Sequence, residues 1–173
     1  INASGRLEGV LNLESPQVAA FTEEDSHTLQ SLATYAVTAI QEVRLLDALQ
    51  EAAQLLIAQP SHIVLDQLCV MSNDLLNTSS SAIWLTNEKG ETQLVASNGA
   101  PVSEDLPKEQ SNSLLMPLTN GDKPSALGMF GAFYPASSEV RSDKSEWDRK
   151  VLACLANYAV LSIQNETRQQ ALR

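Results

Sequence analysis

The stretch LATYAVTAIQE, from Leu32, returns as LANYAVLSIQN, from Leu155, with seven of eleven letters identical and no gap. A segment written twice in one chain constrains the fold before any other feature, because each copy implies its own packed surroundings. The likeness extends upstream. FTEED precedes the first copy and KSEWD the second. Thr22 and Ser145 stand where helix N-caps belong, with Asp25 and Asp148 three residues on as capping-box partners. Asp25, Leu29 and Leu32 repeat the spacing of Asp148, Leu152 and Leu155. A strand-like run opened by glycine leads into each helix: GVLNLE from Gly9 and GMFGAFY from Gly128. The unit written twice is therefore strand, loop, capped helix.

Between the two copies the chain reads as more of the same fold. No Pro or Gly interrupts residues 23–59, which predicts a helix of roughly 55 Å at 1.5 Å per residue, ended by Pro60. Ser61 is placed to cap a second helix running to about Asn77. Residues 81–86 and 92–97 read as a hairpin across the turn NEKG. Polar chain over 98–112 reads as a loop. SLLMPLT and ALGMFGAFY form a second hairpin across NGDKP, in which Pro117 predicts an edge strand or a bulge.

On the long helix, Leu29, Leu32, Ala36, Ala39, Val43 and Leu46 recur at spacings of three and four. Gln50, Ala53 and Ile57 continue the series loosely. This is a heptad stripe, and a domain of this size cannot cover so long a rod. The expectation is a helix–helix dimer interface at those six positions. The plainer alternative is a helix packed along its own sheet.

Composition removes several function classes. The formal net charge is −10 and the pI about 4.5. The few Lys and Arg are scattered, so nucleic acid and anionic membranes would be repelled. No apolar run reaches the ~18 residues of a membrane span. The two cysteines, Cys69 and Cys154, show no metal-binding spacing and fit a reduced, cytoplasmic setting. The chain opens on Ile1, which suggests a piece of a longer protein.

These residues resemble a known family. GVLNLES, FTEED and LQSLATYAVTAIQEVRLL look like the closing strand and C-terminal helix of a GAF domain. The stretch from SLLMPLT to LANYAVLSIQNETR repeats that ending, and SAIWLTNEKGETQLVAS resembles the fold's first hairpin. The resemblance implies an α+β fold with an antiparallel sheet flanked by helices and a long inter-domain helix. It implies residues 1–46 as the C-terminal half of a first GAF-like domain and 47–173 as a compact second one. By the same resemblance the chain would be a non-catalytic sensory and dimerisation module. It would form a homodimer and relay a signal through its long helices to an output domain. A two-component histidine kinase or response regulator is the expected parent. The alternatives are a purely structural dimerising spacer and a GAF-type redox enzyme. Ligand-binding members carry a lobe over the ligand between the two hairpins. Here about fifteen polar residues, 98–112, stand in its place.

The chemistry sought for such a family is mostly missing. Neither cysteine is followed by the histidine expected of a bilin attachment site, and the Asn-Lys-Phe-Asp-Glu pattern of cyclic-nucleotide binders is absent. His27 and His62 are isolated and read as surface residues. The carboxylates at 23–25 favour a helix N-terminus, and those at 103–105 read as solvated loop. No cofactor and no metal is expected, and a small-molecule ligand is left open. If the sheet keeps a ligand face, Trp84, Met129 and Phe133 alternate onto it. Val10, Asn12 and Glu14 align with the last of these strands in the first copy. Asn12 is the polar candidate there, which makes the first domain the better binder.

Overall fold

The computed structural model describes residues 2–3, 6–87, 89–108, 110–120, 126–135 and 146–172. The chain divides into two compact units, Ile1–Leu46 and Asp47–Arg173.

The first unit holds two two-residue strands, β1 (Asn2–Ala3) and β2 (Arg6–Leu7), paired antiparallel. It also holds most of the long helix α1 (Glu23–Ala58), which continues into the second unit. At 36 residues α1 is about 54 Å long, as the unbroken sequence predicts. Its N-terminus is the expected capping box. The Thr22 backbone N–H and hydroxyl both donate to Asp25 Oδ2 at 2.8 Å, and the Asp25 N–H donates to Thr22 Oγ1 at 3.3 Å. Arg44 on α1 grips Glu8 with both guanidinium nitrogens, each contact 2.6 Å.

One expectation fails in this unit. The run from Gly9 to Glu14 is not a strand. A strand needs a neighbour for its backbone groups, and among the described residues nothing in this unit offers a ladder there. The apolar side chains of the run stay in solvent: Val10 is 81% exposed and Leu13 52%.

The second unit is an antiparallel sheet under a helical layer. Helix α2 (Ser61–Leu76) is followed by strands β3 (Ser80–Thr86), β4 (Thr92–Gly99), β5 (Ser113–Thr119) and β6 (Ala126–Phe133), then helix α3 (Glu146–Ala171). The strand order is β4-β3-β6-β5. Both hairpins form where the turn chemistry puts them. Asn87 Oδ1 accepts the backbone N–H groups of Lys89 and Glu91, and Gly90 adopts φ +81°. β4 runs two residues further than expected, pairing Asn98 with Ser81 and Gly99 with Ser80. Pro117 lies on β5, an edge strand, where its missing N–H costs no ladder bond. The turn residues 121–124 and the expected cap Ser145 fall outside the described residues.

α2 packs over β3 and β4, α3 over β5 and β6, and the two helices pack on each other. Ile83, Phe130, Leu114 and Leu118 face them from the sheet. Val64, Leu68, Leu76, Val151, Leu152 and Leu155 face back, all essentially without exposure. Ser61 does not cap α2. The N-cap is Pro60, with extended backbone and no side-chain cap bond, and the Ser61 hydroxyl instead accepts from Ser162 Oγ at 3.1 Å. α2 ends on Asn77 in the left-handed conformation, its N–H bonded to the Asn73 carbonyl. Asp148, expected as a capping partner, is fully buried and accepts a 2.8 Å hydrogen bond from the Tyr134 hydroxyl.

Candidate functional site

Strand alternation separates the two faces of the sheet. Ser81 bonds Ser72 and Asn73 of α2, so Ser81, Ile83 and Leu85 point to the helices. Ala82 and Trp84 therefore point to the opposite, free face. Their partners on β6 are Gly131 and Met129, and Ser80 stands opposite Phe133. The sheet thus brings Trp84, Met129 and Phe133 onto one face. Trp84 and Phe133 meet edge to face, with ring centroids 6.2 Å apart.

Trp84 is not open to solvent on that face; its exposure is 0%. The indole N–H donates to the carbonyls of Glu104 at 3.1 Å and Ser103 at 3.3 Å. Backbone carbonyls of the loop over 98–112 thus lie at the rim of the indole. Ser103 Oγ accepts the Asp105 N–H at 3.2 Å and fixes the turn that aims these carbonyls. Below the ring, Gly131 leaves the room that Trp84, Leu115 and Phe133 occupy. Sequence reasoning named the aromatic residues but missed Ser103, Glu104 and Leu115. The available signal was the indole itself, since a buried tryptophan N–H demands an acceptor. Asn12 belongs to the first unit and lies on chain that forms no strand. Its Nδ2 donates to Glu14 Oε1 at 2.9 Å, and it contributes to no sheet face.

The stripe on α1 is unevenly covered. Leu32, Val43 and Leu46 are 55%, 57% and 65% exposed, Ala39 is exposed, and Leu29 and Ala36 are half-buried. Beside the six named positions, Tyr35 is 74% exposed, and Ile57 further along is 90% exposed.

Two shallow grooves flank the tail of α3. One, of about 260 Å³, is lined by Leu56, Pro60, Asn165 and Gln169; the other, of about 360 Å³, by His62, Leu65, Val95 and Ile163. Ser61, Glu166 and Gln170 line both.

Cys69 is fully buried and Cys154 half-buried, and neither forms a disulfide. Burial, and secondarily the charge of Asp66, push the Cys69 thiol well above its ordinary range. A thiol held protonated is a poor nucleophile. Among the described residues no cluster of His, Cys, Asp and Glu is placed to hold a metal. No described helix is long and apolar enough to cross a membrane.

No family model and no curated protein matches the chain. Solved structures do. The GAF domain attributed to a sensor histidine kinase of Pseudomonas syringae pv. tomato superposes with a TM-score of 0.61 at 15% identity, over 80% of this chain and 97% of that one. The GAF domain of an Acinetobacter phosphoenolpyruvate-protein phosphotransferase gives 0.55 at 15% identity, over 73% and 97%. The second GAF domain of DevS from Mycobacterium smegmatis gives 0.51 at 14%, over 65% and 99%. The chain is an α+β protein built on a four-stranded antiparallel sheet flanked by helices. That fold is the GAF fold.

Proposed function

We propose that this chain is a non-catalytic sensory and dimerisation module of a cytoplasmic signalling protein. In this reading residues 1–46 are the C-terminal half of a first GAF-like domain and 47–173 a second, compact one. The parent is a two-component histidine kinase or response regulator, and α1 and α3 carry a small shift from the sensing end to an output domain. The GAF domains of a sensor kinase and of a phosphotransferase among the structural neighbours support the signalling assignment.

The observation that carries the reading is the stripe on α1. A helix of 36 residues keeps Leu32, Val43 and Leu46 more than half exposed, at heptad spacing. Apolar side chains repeated along one line are stabilised by a second helix that buries them. A second copy of α1 supplies the same stripe and closes the assembly as a symmetric dimer. The test is light scattering on the full chain. A dimer that Leu32→Glu with Leu46→Glu converts to a folded monomer is the expected result. A wild-type monomer at high micromolar concentration would sink the reading.

The buried Trp84 favours a second reading for residues 47–173, that of a structural spacer with no small-molecule ligand of its own. Ligand sensing would then fall to the first domain. A small-molecule screen by thermal shift separates the two: a ligand whose effect disappears on substitution of Met129 excludes the spacer.

A further inference from the structure

The free face of the sheet is arranged around a single side chain. β4 carries an extra residue, Val95, in the register step between Ile83 and Trp84. Such a bulge re-aims the strand beside it. Gly131 removes a β-carbon that would come within 3.0 Å of the indole Cζ3. Phe133 meets the ring edge to face, and two backbone carbonyls converge on the one N–H. A buried tryptophan N–H needs one acceptor; here two carbonyls are offered to it, and a bulge and a glycine lie beside the ring. Together they make a cradle of defined shape and polarity: flat, apolar on its broad sides, with acceptors at one point on the rim.

We propose that Trp84 is the built-in occupant of an indole-shaped site on the free face of the sheet, and that its N–H latches the segment around Ser103 and Glu104 across that face. The ligand class this site accepts is a planar bicyclic aromatic with one N–H donor, and in the native chain residue 84 fills that role. The latch also adds to the coverage of the face. The segment is tied to the sheet at its two ends, by the Ala100 N–H to the Ser79 carbonyl and the Tyr134 N–H to the Asn112 carbonyl, and the indole N–H adds a tie between them. The inference concerns residues 80–133 alone and does not rest on dimerisation.

The test separates ring from N–H in the full-length chain. Trp84→Phe keeps an aromatic ring and removes the donor. The Asp105 amide, bonded to Ser103 Oγ, should exchange its hydrogen about tenfold faster, the factor that accompanies loss of one buried hydrogen bond, while amides of β3 and β6 keep their protection. Trp84→Ala empties the site. Millimolar indole should raise its melting temperature and return Asp105 exchange towards wild type, whereas benzene should stabilise it less and leave that exchange fast. Unchanged Asp105 exchange in Trp84→Phe overturns the latch. A Trp84→Ala chain that ignores indole overturns the site. Should that variant fail to fold, refolding with indole is the readout: recovery supports the site, and continued failure overturns it.

Discussion

Gly131 lies beneath the indole of Trp84, so close that an added β-carbon would stand 3.0 Å from both Trp84 Cζ3 and Leu115 Cδ2, and 3.1 Å from Phe133 Cζ. What it meets are side chains, which can rotate. Three residues earlier on the same strand, Gly128 faces a harder obstacle. A β-carbon there would run into the Trp84 carbonyl oxygen and come within 3.0 Å of Leu85 Cα, both backbone. The two glycines that bound GMFG thus serve different needs, one for packing and one for strand approach.

Alanine substitution should rank them. Gly131→Ala overpacks a well-filled face and is expected to cost about 1–3 kcal/mol. Gly128→Ala must move the sheet backbone or break the β3–β6 pairing, and should cost more. Urea denaturation of the two variants checks the order. Equal costs would mean that the strands separate as easily as the side chains rotate.

What could be read in advance, and what could not, divides along range. The long helix followed from the absence of breakers over 23–59, and its capping box from Thr22 and Asp25 three residues apart. Both are local rules, and both appear in the structure. Pro117 on an edge strand is local too, since a missing N–H is a property of the residue itself. The misreadings are long-range. The run from Gly9 to Glu14 has strand-like letters, but pairing needs a neighbour that pattern does not supply. Ser61 looked like a cap because Ser favours that position. Its hydroxyl is engaged by Ser162, 101 residues further along, and Pro60 already provides the extended residue before the helix. The acceptors for Trp84 are carbonyls, which every residue carries, so no letter marked Ser103 or Glu104.

The Tyr134–Asp148 contact joins the end of the sheet to the first turn of α3 in a buried place. Tyr134 is 8% exposed and Asp148 0%. Tyr134→Phe keeps the ring and removes the hydroxyl that donates to Asp148 Oδ2. Leaving a buried acceptor without its donor costs about 1–3 kcal/mol, and a loss in that range is expected by chemical denaturation. In an Asp148→Asn background the same change should cost clearly less, because part of the pair's coupling is already gone. Additive costs would show that the two residues act independently.

Asp25 should titrate below the ordinary carboxylate value of 3.8, because the Thr22 backbone N–H, and then its hydroxyl, donate to the ionised form. A folded-state value below the unfolded one means that the capping contribution is present above pH 3.8 and is lost as the pH falls through the folded value. The first turn of α1 should therefore fray in acid. Carbon-detected titration of the Asp25 carboxyl gives the midpoint directly. Thr22→Val removes only the hydroxyl and should move that midpoint part of the way back. A full return would assign the effect to the hydroxyl rather than to the backbone N–H.

Cys69 is one of the two thiols, with Cys154, on which a redox reading of this chain would rest. Its folded-state value lies above the unfolded 9.0, since burial and the nearby Asp66 both disfavour the thiolate. The sign follows from linkage: the stability is fully present below pH 9.0 and declines as the pH rises above it, because the unfolded chain then releases a proton that the folded chain retains. Denaturation at pH 8 and at pH 10 should show this loss, and Cys69→Ala should reduce it. In a Cys154→Ala background, labelling by an aromatic disulfide at pH 8 should proceed no faster than the protein unfolds, and urea should accelerate it. Rapid labelling of native Cys69 would restore a redox enzyme as a live reading, since only an accessible thiolate reacts on that timescale.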